Sequence, residues 1–268
     1  MPVKLCYALR QKPHLTTSEF QQIWKEQYGP LVASLQTTLK ISKYTQIHRV
    51  PGDIDTIIRA AKPMLINKDA APFDVVDEYS FDSSMEDFIK TIGDIQAAWK
   101  PLLDLEASVI DPSGSHISFV YEQPQVMKDP YDNVMASPYN HILRIHVFAE
   151  MRDNDAAYEH WSAEHGPIVR RWAASSGVHK YVQNHPRNSG RISPVLDAIR
   201  KERGVDTSST HTWYASCWVE DNLLSRADPI ATRATLEIDE DEQSGWMKHG
   251  TMNWMIGKDY IFVDKHRA

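Results

Sequence analysis

One stretch of this sequence occurs twice. Residues 20–48 and 157–185 align without a gap at an offset of 137. A duplicated unit of this length indicates two copies of one small domain packed on each other. We therefore predict domains at residues 1–122 and 141–268, joined by a Pro-, Asp- and Asn-rich linker at residues 123–140. The identities that carry the match are Trp24/Trp161, Gly29-Pro30/Gly166-Pro167, Lys43-Tyr44/Lys180-Tyr181, Gln46/Gln183 and His48/His185.

Length and composition agree with two ordinary globular domains. The chain has 268 residues, of which 42% are hydrophobic and 24% charged. Its net charge of −7 argues against a nucleic-acid partner, because phosphate binding needs a basic surface. Two cysteines make no disulfide framework, and no apolar run suits a signal peptide or a membrane span. We expect a cytoplasmic protein with no membrane contact, no nucleotide motif and no metal site.

The order of predicted elements is the same in both copies. In the first copy we predict strands at Val3–Arg10, Lys43–Arg49 and Phe73–Phe81, with further strands at Ala107–Asp111 and Ile117–Glu122. A capping box of Thr16 and Glu19 begins a helix, which we expect to kink or restart at Gly29-Pro30. The β-α-β, β-α-β order predicts the ferredoxin-like split unit. The remaining predictions are helices at Ile54–Ala61, Met85–Trp99 and Asp155–Trp172, strands at Ile142–Phe148, Lys180–His185 and Thr212–Val219, and a solvated acidic loop at Glu237–Glu242.

The shared residues resemble the EthD family pattern, in which a helix with Trp and Gly-Pro precedes a Tyr-x-Gln strand. This resemblance implies an α+β fold, in which two ferredoxin-like repeats form an intramolecular dimeric α/β barrel with antiparallel sheets. It also leaves a further homodimer possible. The family usually has His before Gly-Pro, as His165 is in the second copy, whereas the first copy has Tyr28. The matching residues are Phe20, Trp24, Gly29-Pro30-Leu31, Tyr44 and Gln46, then Trp161, His165, Gly166-Pro167-Ile168, Tyr181 and Gln183.

The resemblance implies several reactions and does not choose among them. Relatives include polyketide cyclases, isomerases, cofactor-free oxygenases, decarboxylases, dehydratases and hydroxynitrile lyases, and others bind haem. Our first hypothesis is a cofactor-independent lyase or isomerase that acts on a small aromatic or polyketide-like metabolite by acid/base chemistry. Two alternatives stay open, which are a haem enzyme with an axial histidine and a non-catalytic binding or assembly module.

Four residues are candidates for the chemistry. His165 can exchange a proton near neutral pH, whereas Tyr28 at the aligned position would donate a hydrogen bond. Alternation along the predicted strand Ile142–Phe148 places Leu143, Ile145 and Val147 against the helices, and Arg144, His146 and Phe148 on the opposite face. We predict acid/base roles for His165 and His146 and stabilisation of a carboxylate or enolate by Arg144. The alternatives are a structural helix cap and a buried ion-pair cluster.

A larger group of residues is predicted to bind the substrate. The Tyr-x-Gln-x-His residues share one face of the second strand of each copy, although a structural hydrogen-bond ladder would also appear twice. Asp77 would have a raised pKa inside an aromatic barrel and could act as a base. The sequence alignment of the two copies matches Tyr7 with Arg144 and Asp77 with Ser216. The predicted binding residues are Tyr7, Tyr44, His48, Asp77, Phe148, Tyr181, His185 and Trp213.

Overall fold

A computed structural model of the chain describes residues 3–52, 60, 62–84, 86–90, 97–127, 142–175, 177–186, 192–206, 213–220 and 229–265. In these residues eight antiparallel strands close into a barrel, with helices on its outer face. The strands are β1 (Val3–Leu9), β2 (Ile41–Arg49), β3 (Val75–Phe81), β4 (His116–Met127), β5 (Ile142–Ala149), β6 (Val178–Pro186), β7 (Trp213–Glu220) and β8 (Asn253–Asp264). The α-helices are α1 (Thr17–Ile23), α2 (Gly29–Leu35), α3 (Lys100–Val109), α4 (Asn154–His160), α5 (Gly166–Trp172), α6 (Ile192–Arg203) and α7 (Pro229–Gln243).

The barrel consists of two four-stranded halves, which we call the first half (residues 3–127) and the second half (residues 142–265). The first half has the strand order β4-β1-β3-β2 and the second the order β8-β5-β7-β6. Pairing of β2 with β8 and of β4 with β6 joins the halves, so neither sheet keeps a free edge. The predicted α+β antiparallel barrel is confirmed, whereas the origin of the halves as tandem ferredoxin-like repeats stays a prediction.

Strand β4 runs five residues into the segment predicted as a linker. Residues 123–127 pair with β6, and the ladder shifts its register between Pro124 and Val126. A register shift accommodates Pro124, which has no N–H to give to the ladder. The other expected linker residues, 128–140, lie outside the described part of the chain.

The barrel interior is filled with side chains. A small apolar cluster that includes Cys6, Ala8 and Phe148 occupies one part of it. In another part the buried Glu78 carboxylate pairs with Lys4 at 2.7 Å and with Arg144 at 2.5 Å. Burial opposes ionisation of Glu78, but the two cations hold its pKa well below the ordinary value. The interior therefore holds a cluster of paired charges, and the cavity with the aromatic lining lies on the helix side.

Each half contains a π-helical turn immediately before its Gly-Pro pair. In the turns Trp24–Tyr28 and Trp161–His165, the glycine N–H that follows bonds the tryptophan carbonyl five residues back. The wider turn makes room for a proline that lacks an N–H and would clash in a regular helix. The predicted break thus lies one turn before Gly29-Pro30. A β-carbon at Gly29 would also lie 2.3 Å from Phe262, so only glycine permits this approach of the helix to β8.

Two element predictions were wrong, and two others fall partly outside the described residues. Residues 107–109 belong to helix α3 instead of a strand, because Leu102, Glu106 and Val109 form a buried helical face. The acidic stretch Glu237–Glu242 is part of helix α7 instead of a solvated loop. Of the predicted helices, only residue 60 is described in Ile54–Ala61, and residues 86–90 and 97–99 in Met85–Trp99. No helix in the described ranges is long and apolar enough to cross a membrane.

Candidate functional site

A cavity of about 420 Å³ lies between the sheet of the second half and its helices. Its volume is in the range of small-molecule sites, which are mostly apolar with a few placed polar groups. Helices α5 and α7 and the turn Trp161–His165 form one wall, and strands β5 to β8 form the other. The aromatic residues among its described lining are Trp161, His165, Tyr181, Trp213, Tyr214, Trp246 and Trp254.

The strand registers explain why this cavity exists. Tyr181 pairs with Cys217 as Tyr44 pairs with Tyr79 in the first half. Cys217 therefore occupies the position of a tyrosine on the helix-facing side of the sheet. By the same registers, Ala215 replaces Asp77 and Val147 replaces Tyr7. Three smaller side chains at neighbouring positions leave the space open.

The registers also correct our alignment of the first and third strands. In the second half, Arg144 of β5 pairs with Trp218 of β7. The residue at the same position of the first half is Lys4, which pairs with Ser80 of β3, and not Tyr7 as the sequence alignment had it. His146 corresponds in the same way to Cys6, and Asp77 corresponds to Ala215 instead of Ser216. The offset between the halves is 137 in the second strand, 138 in the third and 140 in the first. Connecting segments of different length cause this drift, which an ungapped alignment misses.

His165 and Asp241 form a hydrogen-bonded pair beside the cavity. Nδ1 of His165 lies 2.7 Å from Oδ2 of Asp241, and Nε2 of His160 lies 2.8 Å from the other carboxylate oxygen. Burial raises the pKa of Asp241, but hydrogen bonds and charge from the two histidines outweigh it and lower that pKa below its ordinary value. An ionised Asp241 fixes the proton of His165 on Nδ1, which leaves Nε2 as an acceptor. The pair can therefore take a proton from a ligand.

Two further groups on the cavity wall can donate hydrogen bonds. Tyr181 accepts a bond from Nε1 of Trp161 at 3.0 Å, and burial raises the pKa of its hydroxyl, which stays protonated. The indole N–H of Trp254 is buried and has no hydrogen-bond partner in the described part of the chain. A ligand oxygen would satisfy it. Burial also raises the pKa of Cys217 to about 12, so this thiol is neutral and no nucleophile.

An ion cluster forms another part of the wall. Lys62 is the one described lining residue from the first half, and its Nζ lies 2.5 Å from Asp239 of helix α7. It also pairs with Glu242, one helical turn further along. The acidic stretch that the sequence assigned to a loop thus faces the cavity through Asp239 and Glu242 and bonds His165 through Asp241.

In the first half, side chains occupy the corresponding space. The Tyr28 hydroxyl donates to Glu106 at 2.6 Å and lies 2.9 Å from the Tyr79 hydroxyl. Glu106 in turn pairs with Arg203 of the second half at 2.9 Å. Tyr28 and Glu106 therefore hold the places that His165 and Asp241 hold in the second half, but they are sealed inside a packed core.

Asp77 lies at the centre of this packed core. It accepts hydrogen bonds from Trp24 at 3.0 Å, Tyr44 at 3.1 Å and Tyr79 at 3.2 Å. Burial raises its pKa well above the ordinary value, although the three hydrogen bonds oppose the shift. Tyr7 packs in the same cluster. These predicted binding residues hold the first half together and do not border the cavity.

The structure brings together only part of the predicted site. His165, Tyr181 and Trp213 line the cavity, whereas Arg144, His146 and Phe148 point into the barrel interior. The strand alternation predicted for β5 is correct, but the face that carries Arg144 and His146 is the one turned away from the ligand space. Burial and then the charge of Arg144 lower the pKa of His146 well below its ordinary value, so it stays neutral.

His48 of β2 and His185 of β6 hold equivalent positions in the two halves, and neither is among the described residues that line the cavity. His48 bonds the Gln46 side chain at 2.8 Å, and burial lowers its pKa to about 4. His185 packs among aromatic rings, with centroids 4.8 Å from Trp161 and 5.4 Å from Trp213. Both are arranged as structural residues of their sheets.

Sequence reasoning missed Lys62, Asp239, Asp241, Glu242 and Trp254. A signal was available for the acidic residues, because no Gly or Pro interrupts the chain between Pro229 and Gly245 and proline favours the first turn of a helix. Lys62 and Trp254 gave no comparable signal, since their importance comes only from contacts across the barrel.

Comparisons with known proteins agree with this fold. An anthrone oxidase-like protein of known structure is 10% identical, with 98% of this chain and 94% of that chain covered and a TM-score of 0.51. A candidate monooxygenase from Fusobacterium nucleatum is 8% identical, with 97% and 93% covered and a TM-score of 0.48. A mutant chlorite dismutase from Candidatus Nitrospira defluvii is 10% identical, with 97% and 92% covered and a TM-score of 0.43.

Sequence comparison identifies a family over one part of the chain. No curated protein sequence matches it. Residues 12–101, however, match the EthD domain family. This range includes the Trp24, Gly29-Pro30 and Tyr44 positions on which the resemblance rested, so the prediction is confirmed there. The match to the EthD domain family therefore lies within the first half of the barrel.

Proposed function

We propose that this protein is a cofactor-independent enzyme that moves protons on a small aromatic or polyketide-like molecule. The observation that carries the proposal is the His165–Asp241 pair beside an aromatic cavity of about 420 Å³. A non-catalytic module with a filled interior is less well supported, because a cavity above about 300 Å³ suits a ligand. The barrel interior is filled, but the space beneath the second-half helices is not.

In the proposed reaction His165 acts as the general base. Its Nε2 takes a proton from an acidic C–H or O–H of the ligand, and Asp241 stabilises the imidazolium that results. Tyr181 and Trp254 donate hydrogen bonds to the oxygen on which negative charge develops. Return of the proton to another atom of the ligand gives an isomerisation, whereas expulsion of a leaving group such as hydroxide, as water, gives an elimination, and attack of the carbanion on a carbonyl of the same ligand gives a cyclisation. General base catalysis of this kind contributes about 10²- to 10⁴-fold to a rate.

The division of roles fits a tandem origin with one working site. The halves share the strand order 4-1-3-2, counted within each half, and the same π turn before Gly-Pro. We therefore propose two ferredoxin-like domains, at residues 1–122 and 141–268, of which the second contains the cavity in which the reaction takes place. The first would serve as a structural partner that closes the barrel.

Anthrone is a suitable probe for the proposed base. It is a neutral molecule of three fused rings with an acidic CH₂ group, and the known anthrone oxidase-like structure shares the barrel fold. We expect the protein to accelerate exchange of this CH₂ with deuterated solvent, measured by NMR without oxygen. His165→Asn and Asp241→Asn should each lower the rate at least 100-fold. His146→Asn is the matched control and should keep the rate; equal rates in all variants would contradict the proposal.

Haem is the alternative cofactor, and the wall residues do not suit it. Haem carries two propionates, whereas the cavity offers Lys62 already paired with Asp239 and Glu242. Asp241 adds a further carboxylate behind His165. A Soret band after addition of haem to the purified protein would reverse this assignment.

A further inference from the structure

The cavity wall carries an unbalanced set of charges. Lys62, Asp239 and Glu242 line the cavity, and the side chains of all three are largely buried, with 15%, 12% and 12% exposed. Two carboxylates therefore share one ammonium. Burial raises the pKa of Asp239, while the nearby Lys62 opposes the shift. Once Asp239 is ionised, the group has one net negative charge.

The cation that the second half contributes to the first has one carboxylate partner among the described ion pairs. There Glu106 pairs with Arg203, and both side chains are buried, with 4% and 5% exposed. Each cation comes from the other half. Lys62 follows β2 of the first half and pairs with the second, and Arg203 follows β6 of the second half and pairs with the first. The second half differs by one extra carboxylate, and it is the half that contains the larger cavity. The excess charge thus lies where a ligand would meet it.

Lys62 is the one Lys or Arg among the described lining residues, so the other donors there, Tyr181 and Trp254, can bond an anionic ligand but bring no positive charge to balance it. The aromatic faces of Trp161, Trp213 and Trp254 suit flat rings. Low polarity strengthens the repulsion between a buried ligand anion and the carboxylates. A ligand hydroxyl, by contrast, can donate a hydrogen bond to Asp239 or Glu242.

We propose that this cavity selects uncharged, hydroxyl-bearing aromatic molecules and rejects aromatic carboxylates, with Asp239 and Glu242 as the residues that determine the specificity. The proposal rests on the proposed function and names the charge class of its substrate. Aromatic acids of the same size would enter the same space only against the field of two carboxylates, and a single paired lysine does not compensate for both.

A matched pair of ligands tests the proposal by binding alone. The probes are 2-(hydroxymethyl)anthraquinone, which is neutral, and anthraquinone-2-carboxylate, which has similar size and one negative charge. Quenching of tryptophan fluorescence reports binding, since Trp161, Trp213, Trp246 and Trp254 line the cavity. At pH 8 we expect the neutral ligand to bind at least tenfold more tightly than the carboxylate. Equal affinities, tighter binding of the carboxylate, or failure of both ligands to bind would overturn the proposal.

Two variants change the wall charge while the cavity keeps its shape. Asp239→Asn with Glu242→Gln leaves Lys62 as the one charge of this group, so the preference should reverse in favour of the carboxylate. The triple variant that also contains Lys62→Met removes all three charges and should bind both ligands with similar affinity. A thermal melt of each variant verifies folding, and the triple variant avoids an unpaired buried lysine. An unchanged preference in the folded triple variant would overturn the proposal.

The binding test and the exchange test can fail separately. Exchange of anthrone by His165 without charge selectivity would leave the proposed function standing and remove this inference. Charge selectivity without exchange would show that the cavity is a binding site for neutral aromatics and that the proposed proton transfer is wrong.

Discussion

In the first half, large side chains fill the space that is an aromatic cavity in the second, although the same shared residues frame both. A smaller pocket of about 220 Å³ remains beside Leu5 and Trp99 of the first half. Trp24 and Trp161 occupy the same place, as do Tyr44 and Tyr181. The difference comes from the sheet beneath them, where two tyrosines and an aspartate give way to smaller residues. The residues common to both halves therefore build the frame, whereas residues outside the shared motif decide whether a half contains a cavity.

The acidic residue opposite the π turn also has a different role in each half. Glu106 joins Tyr28 to Arg203 inside a packed core, and burial raises the pKa of Tyr28 well above its ordinary value. Asp241 instead holds a histidine that borders open space. A carboxylate in the same position thus stabilises one half and orients a base in the other.

The largest effect is expected when Glu106, the carboxylate of the first half, is removed. Glu106→Leu leaves the buried Arg203 without its partner and should lower the free energy of unfolding by about 3–5 kcal/mol. Asp241→Asn should cost only about 1 kcal/mol of stability, because a neutral histidine can still bond the amide. Urea unfolding measures both. Similar losses would show that the two carboxylates have the same role.

Filling the cavity should convert the second half into a copy of the first. Cys217→Tyr places a ring where Tyr79 lies in the first half, and it should lower anthrone exchange at least 100-fold, or about 2.7 kcal/mol in the barrier. The NMR exchange rate measures this loss, and a thermal melt verifies that the variant folds. Cys217→Ala is the matched control and should retain exchange, since the neutral thiol has no proposed role. Full activity in Cys217→Tyr would place the reaction elsewhere.

The buried Asp77 should give the first half a distinctive pH dependence. Because burial raises its pKa, the folded state retains a proton that the unfolded state loses near pH 4. Stability from this group is therefore present at low pH and is lost as the pH rises towards the folded-state pKa. Between the pKa of the unfolded state and that of the folded state, the free energy of unfolding of Asp77→Asn, relative to that of the parent protein, should rise by about 1.4 kcal/mol per pH unit. Urea unfolding from pH 4.5 upward measures this, and a difference that is constant with pH would contradict it.

The smallest expected effects concern the starts of helices α1 and α4. Thr16 and Asp153 cap α1 and α4 by accepting hydrogen bonds from backbone N–H groups of the first turn. Thr16→Ala and Asp153→Ala should each lower the free energy of unfolding by about 1 kcal/mol. Only Asp153→Ala should also slow exchange, because its helix leads into His165. Equal anthrone exchange rates in the two variants would show that the Asp153 cap does not affect the position of His165.

The sequence predicted the frame better than the site. Duplicated residues such as Trp24 and Gly29 identify the fold because their positions are set by local helix and strand geometry. His165 was found because it differs from Tyr28 within that same aligned stretch. Asp241 and Lys62 were missed because their contacts span 76 and 177 residues, and no local pattern records such distances. His146 was misplaced because alternation gives two faces of a strand but does not tell which one borders empty space.

The exchange of cations between the halves has a consequence for the order in which the protein is made. Arg203 follows Glu106 by 97 residues, so a growing chain has to hold the first-half core without its counter-charge until much of the second half has been synthesised. Lys62, in contrast, precedes Asp239 by 177 residues and is already present when helix α7 emerges. The ion pair of the packed half is thus complete once Arg203 has been made, whereas the cluster of the open half is completed later, around a lysine that is already in place. We expect a nascent chain that ends before Arg203 to be protease-sensitive throughout its first half.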